Sequence, residues 1–209
     1  MTALLLLDRD WRPDAEVKIS ARAAAATGSR AGLRAGETVR AGDLLTAMLV
    51  ASANDACVAL AEHAAVNVDA FVAAMNARAE SLKLRATHFD DPCGHDAPGQ
   101  RASAADLAAL TAAALGQPEF ARIVGLRSAR FATAGGRRIS LKTGNHLLGT
   151  LPGVVGVKTG FTPGAGKCLV VLAERDGTRV LIVLLNAADR WWTAAALVEE
   201  AFDAARVKR

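Results

Sequence analysis

Two apolar runs near the carboxyl end constrain the fold more than any other part of the sequence. Leu169 to Leu172 and Val180 to Leu185 consist almost entirely of aliphatic residues, and Arg175-Asp176-Gly177-Thr178 lies between them. An Asp-Gly pair between two such runs is typical of a tight antiparallel hairpin. Successive side chains of a strand point to opposite faces of the sheet, and both sets are apolar in these runs. Both faces of the sheet should therefore be covered, which predicts that helices pack against it.

A further strand is predicted before this hairpin, and a helix is predicted after it. Val154 to Lys158 is a further β-rich run, and Asp189 to Val207 has the spacing of an amphipathic helix. The inner face of that helix is predicted to comprise Trp192, Leu197, Val198 and Phe202.

The middle of the chain is predicted to be helical. Asp43 should cap a helix that continues through Leu49, and a second helix should run from about Asn54 to Ala65, which places Ser52 at the junction between them. Two more helices are expected at Val68 to Leu82, with Phe71, Val72 and Met75 turned inward, and from a Ser103 cap to Leu115.

The remaining segments are rich in turn-forming residues. Ala15 to Arg40 contains Gly28, Gly32 and Gly36, which predicts extended pieces and loops on the surface. Thr87 to Gly99 contains two prolines and is predicted to be a loop. The sequence therefore predicts a mixed α/β fold of the α+β type, with a helical lobe beside a helix-covered antiparallel sheet.

Composition limits the domain count and the classes of partner. A chain of 209 residues with 52% hydrophobic content can build one full core, so residues 1–209 are predicted to form a single unit. The net charge of +4 comes from basic residues scattered among 21 acidic ones. Aromatic residues make up 4% and tyrosine is absent. Nucleic acid is therefore not expected as a partner.

The cysteines and histidines show no metal-ligand spacing. Cys57, Cys93 and Cys168 are far apart and form no Cys-x-x-Cys pair, and no two histidines are four residues apart. We predict no metal or other cofactor, and three buried free thiols.

The amino-terminal segment does not read as a targeting signal. Met1 to Asp8 is apolar, but no basic residue precedes the run and no small-residue cleavage site follows it. It reads instead as the end of a buried helix. No apolar stretch approaches the roughly 20 residues of a membrane-spanning helix. We therefore expect neither a signal peptide nor a transmembrane segment in this sequence.

Two tripeptide motifs carry the candidate chemistry. Ser52-Ala53-Asn54 lies at the predicted helix junction, and Lys158-Thr159-Gly160 ends the first late strand. A second copy, Lys142-Thr143-Gly144, lies in a segment with weaker strand character. In isolation, a serine and an asparagine between helices serve more often as caps than in catalysis, and a strand lysine is more often simply exposed.

The two motifs together resemble those of the penicillin-recognising serine enzymes, which combine Ser-x-x-Lys, Ser-x-Asn and Lys-Thr-Gly. The chain is particularly similar to the D-alanyl-D-alanine carboxypeptidase branch, and the similarity extends over nearly the whole sequence. The further matching stretches are Gly28-Ser29, Gly36-Glu37, Asp43-Leu44-Leu45, Thr87-His88-Phe89, Asp91-Pro92-Cys93-Gly94, Ser103 to Ala108 and Gly153 to Asn186. The resemblance implies a DD-peptidase/β-lactamase-like fold.

The resemblance also implies a role for each motif residue. Lys158 and Thr159 would bind the carboxylate of a terminal D-alanine, and Gly160 would let the substrate backbone lie along the strand edge. The backbone N–H of Phe161 would be one oxyanion-hole donor. Ser52 would pass a proton toward the leaving nitrogen, and Asn54 would orient the substrate carbonyl and a lysine.

The sequence departs from the family pattern at one motif. In relatives, Ser-x-x-Lys lies immediately before a Met-Thr-Ala-Leu-Leu-like run, which here is residues 1–5, and no serine of this chain is followed three residues later by lysine. The resemblance therefore implies that the nucleophilic serine, the general-base lysine and the N-terminal strands of the sheet are missing. We expect a fragment that is nearly inert and has an unpaired sheet edge.

The function implied is that of a serine-type D-Ala-D-Ala carboxypeptidase, acting through an acyl-enzyme on peptidoglycan stem peptides that end in D-Ala-D-Ala. β-Lactam antibiotics would inhibit it, and the intact protein would be periplasmic or otherwise extracytoplasmic. Three alternatives remain: a non-catalytic module that binds D-alanine termini or penicillin, a β-lactamase, and an unrelated α/β protein. The β-lactamase would need a deacylating glutamate, whereas the Phe89 to Gly99 loop offers only aspartates.

Overall fold

The computed structural model describes residues 1–8 and 11–207. It contains helices in the first two thirds and an antiparallel sheet, followed by a long helix, in the last third. In chain order, the elements are α1 (Thr2–Leu7), β1 (Glu16–Lys18), α2 (Ala21–Ala24), β2 (Thr38–Arg40), α3 (Ala41–Ala51), α4 (Asn54–Ala64), α5 (Val68–Ser81), α6 (Ala104–Leu115), α7 (Pro118–Val124), β3 (Ser128–Ala132), β4 (Arg138–Lys142), β5 (Val154–Thr162), β6 (Gly166–Arg175), β7 (Thr178–Leu184) and α8 (Arg190–Val207).

The main sheet has the strand order β5-β6-β7, and both pairings are antiparallel. Asp176 and Gly177 join β6 to β7 with φ angles of 49° and 75°. Positive φ at both central residues is the geometry that an Asp-Gly hairpin turn adopts. Among the described strands, β7 pairs with β6 alone, so its other edge has no strand beside it. The predicted hairpin is therefore present at the expected residues.

Helices α3 and α4 form the centre of the main hydrophobic core. Leu44 and Leu45 of α3 and Leu60 of α4 are fully buried. A second core lies between the main sheet and α8, and a third lies between α1, α5 and α6. Within the described part of the chain, no single helix has the length and apolar character to cross a membrane; α4 and α5 meet those criteria only jointly, with an 88° bend between them.

The α3 helix starts earlier than the sequence predicted. Arg40 is its N-cap, without a side-chain capping bond, and Asp43 lies in the first turn instead of capping it. Burial raises the pKa of the Asp43 carboxyl. The first two N–H groups of α3 have backbone acceptors instead: Ala41 N donates to Ala15 O and Gly42 N donates to Pro13 O, each at 2.9 Å, so no capping side chain is needed for them. Ser103, by contrast, caps α6 as predicted, accepting a hydrogen bond from Asp106 N.

The inner face of α8 differs from the prediction. Ala194, Val198 and Phe202 are buried against the sheet, whereas Trp192 is 81% exposed and Leu197 is 37% exposed. The buried residues recur every four positions, and a helix turns by about 100° per residue. Leu197 is adjacent to Val198 and is therefore turned about 100° from the buried face, and Trp192, two residues before Ala194, is turned about 200° from it.

The segment from 15 to 40 contributes more to the core than its turn-rich sequence suggests. Val17, Ile19, Leu33 and Val39 are buried in the main core, although the glycine-containing turns between them are exposed. The prediction of a surface segment was correct for those turns and wrong for these four buried residues. Helix α7 and the β3–β4 hairpin, which the sequence did not predict, occupy the stretch before the main sheet.

The cysteine prediction was wrong for two of the three residues. Cys57 and Cys93 form a disulfide, with their Cα atoms 5.7 Å apart. The third, Cys168, is free but only partly buried. The error arose because Cys57 and Cys93 are 36 residues apart, and only the folded path of the chain brings the loop after α5 back to α4.

Candidate active site

The candidate site lies where the α3–α4 junction meets β5. Ser52 follows the last residue of α3 and adopts φ 55° and ψ 37°, the left-handed conformation. A residue with a side chain costs about 1 kcal/mol or more in this conformation. Such a position is held by the surrounding structure, and it is often found where a side chain has a function. Here it presents the Ser52 hydroxyl to β5.

Lys158 joins the two sequence motifs directly. It lies on β5 opposite Val170 of β6, and its Nζ donates a hydrogen bond to Ser52 Oγ. The same Nζ donates to the Thr159 carbonyl oxygen at 2.8 Å. The structure therefore brings together Ser52 and Lys158, which are 106 residues apart in the chain.

The environment of Lys158 disfavours its charged form. Burial lowers the pKa of its ammonium from 10.5 to about 8, and the positive charge of Arg190 contributes in the same direction. Near neutral pH the side chain is therefore a cation that gives up its proton readily. It can attract an anion and can also exchange a proton with the Ser52 hydroxyl.

Arg190 is a site residue that the sequence analysis missed. Its Nη1 donates to the carbonyl oxygens of Gly160 at 2.7 Å and Cys168 at 3.0 Å, so it lies against the strand that carries Lys158. Its Nε is buried and has no hydrogen-bond partner among the described residues. Arg190 belongs to no recognisable motif, and only its position at the start of the last helix could have drawn attention to it.

Thr159, Gly160 and Phe161 follow Lys158 along β5. All three pair with β6, and Phe161 is 66% exposed. A Cβ added at Gly160 would lie 3.6 Å from the Cβ of Cys168, an ordinary contact distance. The neighbouring protein therefore does not require glycine at this position. The roles of Thr159, Gly160 and Phe161 in binding, including the Phe161 N–H as an oxyanion donor, remain predictions.

The second Lys-Thr-Gly tripeptide also lies beside the site. Contrary to the weak strand character of its sequence, Lys142 is the last residue of β4, and it is exposed. A Cβ added at Gly144 would lie 3.3 Å from Thr159 Oγ1, so the loop after β4 packs against β5. The two Lys-Thr-Gly tripeptides are therefore neighbours in the fold. It is Lys158, in the second of them along the chain, that donates the hydrogen bond to Ser52.

Asn54 is the first residue of α4 and lies within the same junction. Its backbone N–H donates to Ser29 O at 2.8 Å, and its side-chain Nδ2 donates to Thr27 O at 2.7 Å. A Cβ added at Gly28 would lie 2.9 Å from that Nδ2, and Gly28 has a φ of +78°. Both the close approach and the backbone conformation require glycine there. The loop around Gly28 therefore encloses the Asn54 amide.

Asp55 anchors this loop and was not recognised as important from the sequence. It is completely buried, and its carboxylate accepts hydrogen bonds from the backbone N–H groups of Ala31, Gly32 and Leu33, each between 2.8 and 2.9 Å. A buried carboxylate is tolerated only with such partners. Asp55 thus holds the segment after Gly28 against α4.

Among the described residues, no three His, Cys, Asp or Glu side chains cluster as a metal site requires. The Ser52 hydroxyl, the Lys158 amine and the Arg190 guanidinium can together bind an anion and move a proton.

The comparisons with known proteins agree on one family. The D-alanyl-D-alanine carboxypeptidase family profile matches residues 1–189. D-alanyl-D-alanine carboxypeptidase DacD of Escherichia coli is 42% identical over 159 residues, which cover 75% of this chain and 39% of DacD. D-alanyl-D-alanine carboxypeptidase DacF of Bacillus subtilis is 31% identical over 191 residues, covering 90% of this chain and 49% of DacF. The chain thus spans half or less of the length of these two relatives.

Solved structures resemble the whole described fold. A mutant of a Streptomyces DD-transpeptidase has a TM-score of 0.91 at 28% identity, with 97% of this chain and 85% of that chain covered. A D-alanyl-D-alanine carboxypeptidase from Mycobacterium tuberculosis has a TM-score of 0.88 at 31% identity, with 97% and 80% covered. The likeness confirms the predicted fold class.

Proposed function

Because the chain belongs to the D-alanyl-D-alanine carboxypeptidase family, we propose that it carries the carboxylate-binding and proton-transfer part of a serine-type D-Ala-D-Ala carboxypeptidase. The observation that carries the proposal is the hydrogen bond from Lys158 Nζ to Ser52 Oγ, which joins the Ser-x-Asn and Lys-Thr-Gly motifs across the site. The substrate is a peptidoglycan stem peptide ending in D-Ala-D-Ala, and β-lactam antibiotics are its inhibitors.

The two cationic side chains at the site suit a terminal carboxylate. Lys158 and Arg190 lie close enough for the charge of Arg190 to lower the pKa of the Lys158 ammonium. Two like charges placed together are costly without an anion, and an incoming carboxylate relieves that repulsion. The Thr159 hydroxyl can supply a hydrogen-bond donor for such a carboxylate.

The same residues can deliver the proton that the leaving group needs. In the proposed reaction, a serine hydroxyl gives its proton to the general-base lysine of its Ser-x-x-Lys motif and attacks the carbonyl of the penultimate D-alanine. The peptide C–N bond breaks, and water later hydrolyses the acyl-enzyme ester and returns the proton to the serine. The departing amine must gain a proton as that bond breaks. With a pKa of about 8, the ammonium of Lys158 can supply this proton through Ser52 Oγ and recover it from solvent.

The attacking serine must come from a Ser-x-x-Lys motif, which this sequence lacks. The proposal therefore applies to a chain in which that motif precedes Met1, and the sequence as given is expected to be nearly inert. The Cys57–Cys93 disulfide supports an extracytoplasmic location, since disulfides persist in oxidising compartments and are rare in the cytosol.

The test begins with the coding DNA upstream of Met1. The chain extended by that DNA and the chain as given would both be exposed to a fluorescent penicillin, and covalent labelling would be read after denaturing electrophoresis. We expect an upstream Ser-x-x-Lys, labelling of the extended chain, and no labelling of the shorter one. If the upstream frame has no such motif and neither chain labels, the catalytic proposal fails, and a non-catalytic module that binds D-alanine termini becomes the better account.

The two Lys-Thr-Gly copies provide a matched control. Lys158→Ala in the extended chain should reduce the rate of labelling by at least about a hundredfold, a loss of the size found when a site electrostatic group is removed. Lys142→Ala removes the same residue type from the other copy, where the side chain is exposed. It should leave the rate within about twofold. Equal effects from the two substitutions would contradict the assignment of Lys158.

A further inference from the structure

A line of three side chains connects the Asn54 amide to the loop after α5. Asn54 Nδ2 lies 2.9 Å from His95 Nε2, and His95 Nδ1 lies 3.2 Å from both carboxylate oxygens of Asp91. Asn54 and His95 are 41 residues apart, so this contact depends on the folded path of the chain.

The hydrogen-bond partners fix the donor and acceptor at each step. Asn54 Nδ2 also lies 2.7 Å from the carbonyl oxygen of Thr27, which can only accept, so this atom must be the amide nitrogen. The nitrogen can only donate, so His95 Nε2 must accept. A neutral imidazole that accepts at Nε2 carries its proton on Nδ1 and donates it to Asp91.

Both ends of the loop segment that carries His95 are anchored. Asp91 Oδ1 accepts from the backbone N–H groups of Cys93 at 2.7 Å and His95 at 3.0 Å, and Cys93 is bonded to Cys57 of α4. Cys57 lies three residues after Asn54 and thus about one turn along the same helix. On the other side, Asp96 accepts from Thr162 Oγ1 at 2.6 Å, at the end of β5.

The charge state of Asp91 agrees with this arrangement. Burial opposes its ionisation, but the hydrogen bonds from the His95 and Cys93 backbone and from the His95 ring outweigh burial, so the pKa of the Asp91 carboxyl lies below its ordinary value. Asp91 is therefore an anion at neutral pH, and an anion is the partner that holds the proton of a neutral imidazole on Nδ1.

We propose that Asp91 and His95 are positioning residues that fix the orientation of the Asn54 amide. With both Nδ2 protons used by Thr27 O and His95 Nε2, Oδ1 is the amide atom left without a hydrogen bond in the described structure. Toward a ligand, Asn54 therefore presents an acceptor, which suits the ammonium group of a lysine or the N–H of a bound peptide. Donation to a substrate carbonyl, the other role that the resemblance implies, would require Nδ2 to give up one of its two hydrogen bonds. The effect of these residues on catalysis rests on the proposed function, whereas their effect on the orientation of the Asn54 amide does not.

The geometry is tested on the unmodified chain, without any ligand. A long-range 1H–15N spectrum of the 15N-labelled protein at neutral pH reports which imidazole nitrogen of each histidine carries the proton. We expect Nε2 of His95 to be unprotonated and Nδ1 to be protonated. A proton on Nε2 of His95 would overturn the inference, since that nitrogen could not then accept from Asn54.

Substitutions then test whether His95 orients Asn54. His95→Gln keeps an acceptor at a similar reach and should preserve the resonances of the Asn54 side-chain amide, whereas His95→Leu should shift or broaden them. The control is His88→Leu, because His88 lies in the same loop and pairs with Asp90 at 3.1 Å. If His95→Leu leaves the Asn54 amide as unchanged as His88→Leu does, the positioning role is wrong.

The catalytic consequence is read from penicillin labelling of the extended chain. His95→Leu should slow labelling about tenfold, the equivalent of one net hydrogen bond of about 1.4 kcal/mol, and His95→Gln should restore the rate to within about threefold of the parent. Equal labelling rates for the parent and His95→Leu would overturn the inference. If the parent extended chain does not label at all, the proposed function fails, and the tautomer spectrum alone decides the positioning claim.

Discussion

Lys158 Nζ donates a hydrogen bond to Ser52 Oγ, so the residue that follows α3 and the middle of β5 form one functional unit. Ser52 holds its position in a left-handed backbone conformation, and Lys158 holds its position in surroundings that weaken its charge. Both features cost stability, which is common where a site is built for chemistry. The stability cost of each feature can be measured separately.

The depressed pKa of Lys158 makes the stability of the chain depend on pH. Between pH 8 and 10.5 the unfolded chain still holds the lysine proton and the folded chain has released it, so the free energy of unfolding rises with pH. We expect a gain of about 2–3 kcal/mol across this range relative to Lys158→Met, which lacks the titrating group. Urea titrations of both proteins at pH 7 and 10.5 measure the difference. Parallel pH profiles would contradict a lowered pKa.

The left-handed conformation of Ser52 should make glycine the more stable replacement. Ser52→Gly and Ser52→Ala both remove the hydroxyl bonded to Lys158, but only glycine adopts φ 55° without strain. Ser52→Gly should therefore be about 1 kcal/mol more stable than Ser52→Ala in chemical denaturation. Equal stabilities would mean that Ser52 does not hold a left-handed backbone.

Asp55 should be among the residues most important for stability. Asp55→Ala would remove the acceptor of the backbone N–H groups of Ala31, Gly32 and the buried Leu33, at a cost of about 3–5 kcal/mol. The control is Asp69→Ala, which changes an exposed aspartate in the first turn of α5 and should cost less than about 1 kcal/mol. Thermal or urea unfolding of the two variants gives the comparison.

The disulfide should leave one of the three cysteines free. A thiol reagent in denaturant should detect one thiol per chain before reduction, from Cys168, and three after it. Replacing Cys57 and Cys93 together by serine should destabilise the oxidised protein by roughly 3–4 kcal/mol, since the bond closes a loop of 36 residues. Cys168→Ser should have little effect. Three thiols before reduction, in protein prepared under oxidising conditions, would be inconsistent with the disulfide.

Glycine should be required at position 28 for two reasons: the positive φ of its own backbone and the close approach of the Asn54 amide. Gly28→Ala and Gly36→Ala both place a side chain at positive φ, but the added Cβ meets Asn54 Nδ2 at 2.9 Å only at Gly28. Both should lose about 1 kcal/mol of stability. Only Gly28→Ala should shift the Asn54 side-chain amide in a 1H–15N spectrum, and equal shifts from both would show that the contact is unimportant.

Features that depend on neighbouring residues were determined by the sequence itself. The hairpin at Asp176 and Gly177, the Ser103 cap and the helix junction at Ser52 follow from a few adjacent residues, because turn and cap preferences are local. The motifs Ser52-Ala53-Asn54 and Lys158-Thr159-Gly160 indicated the family for a related reason, since each is a short string of fixed spacing.

Features that join distant segments were decided only by the tertiary structure. The Cys57–Cys93 bond spans 36 residues, the Asn54–His95 contact 41 and the Arg190–Gly160 contact 30. A local pattern predicts that a residue lies on a helix, strand or loop, but which other segment packs against it depends on the path of the whole chain. Loop-closure entropy and core packing fix that path together, and neither can be read from a short stretch of sequence.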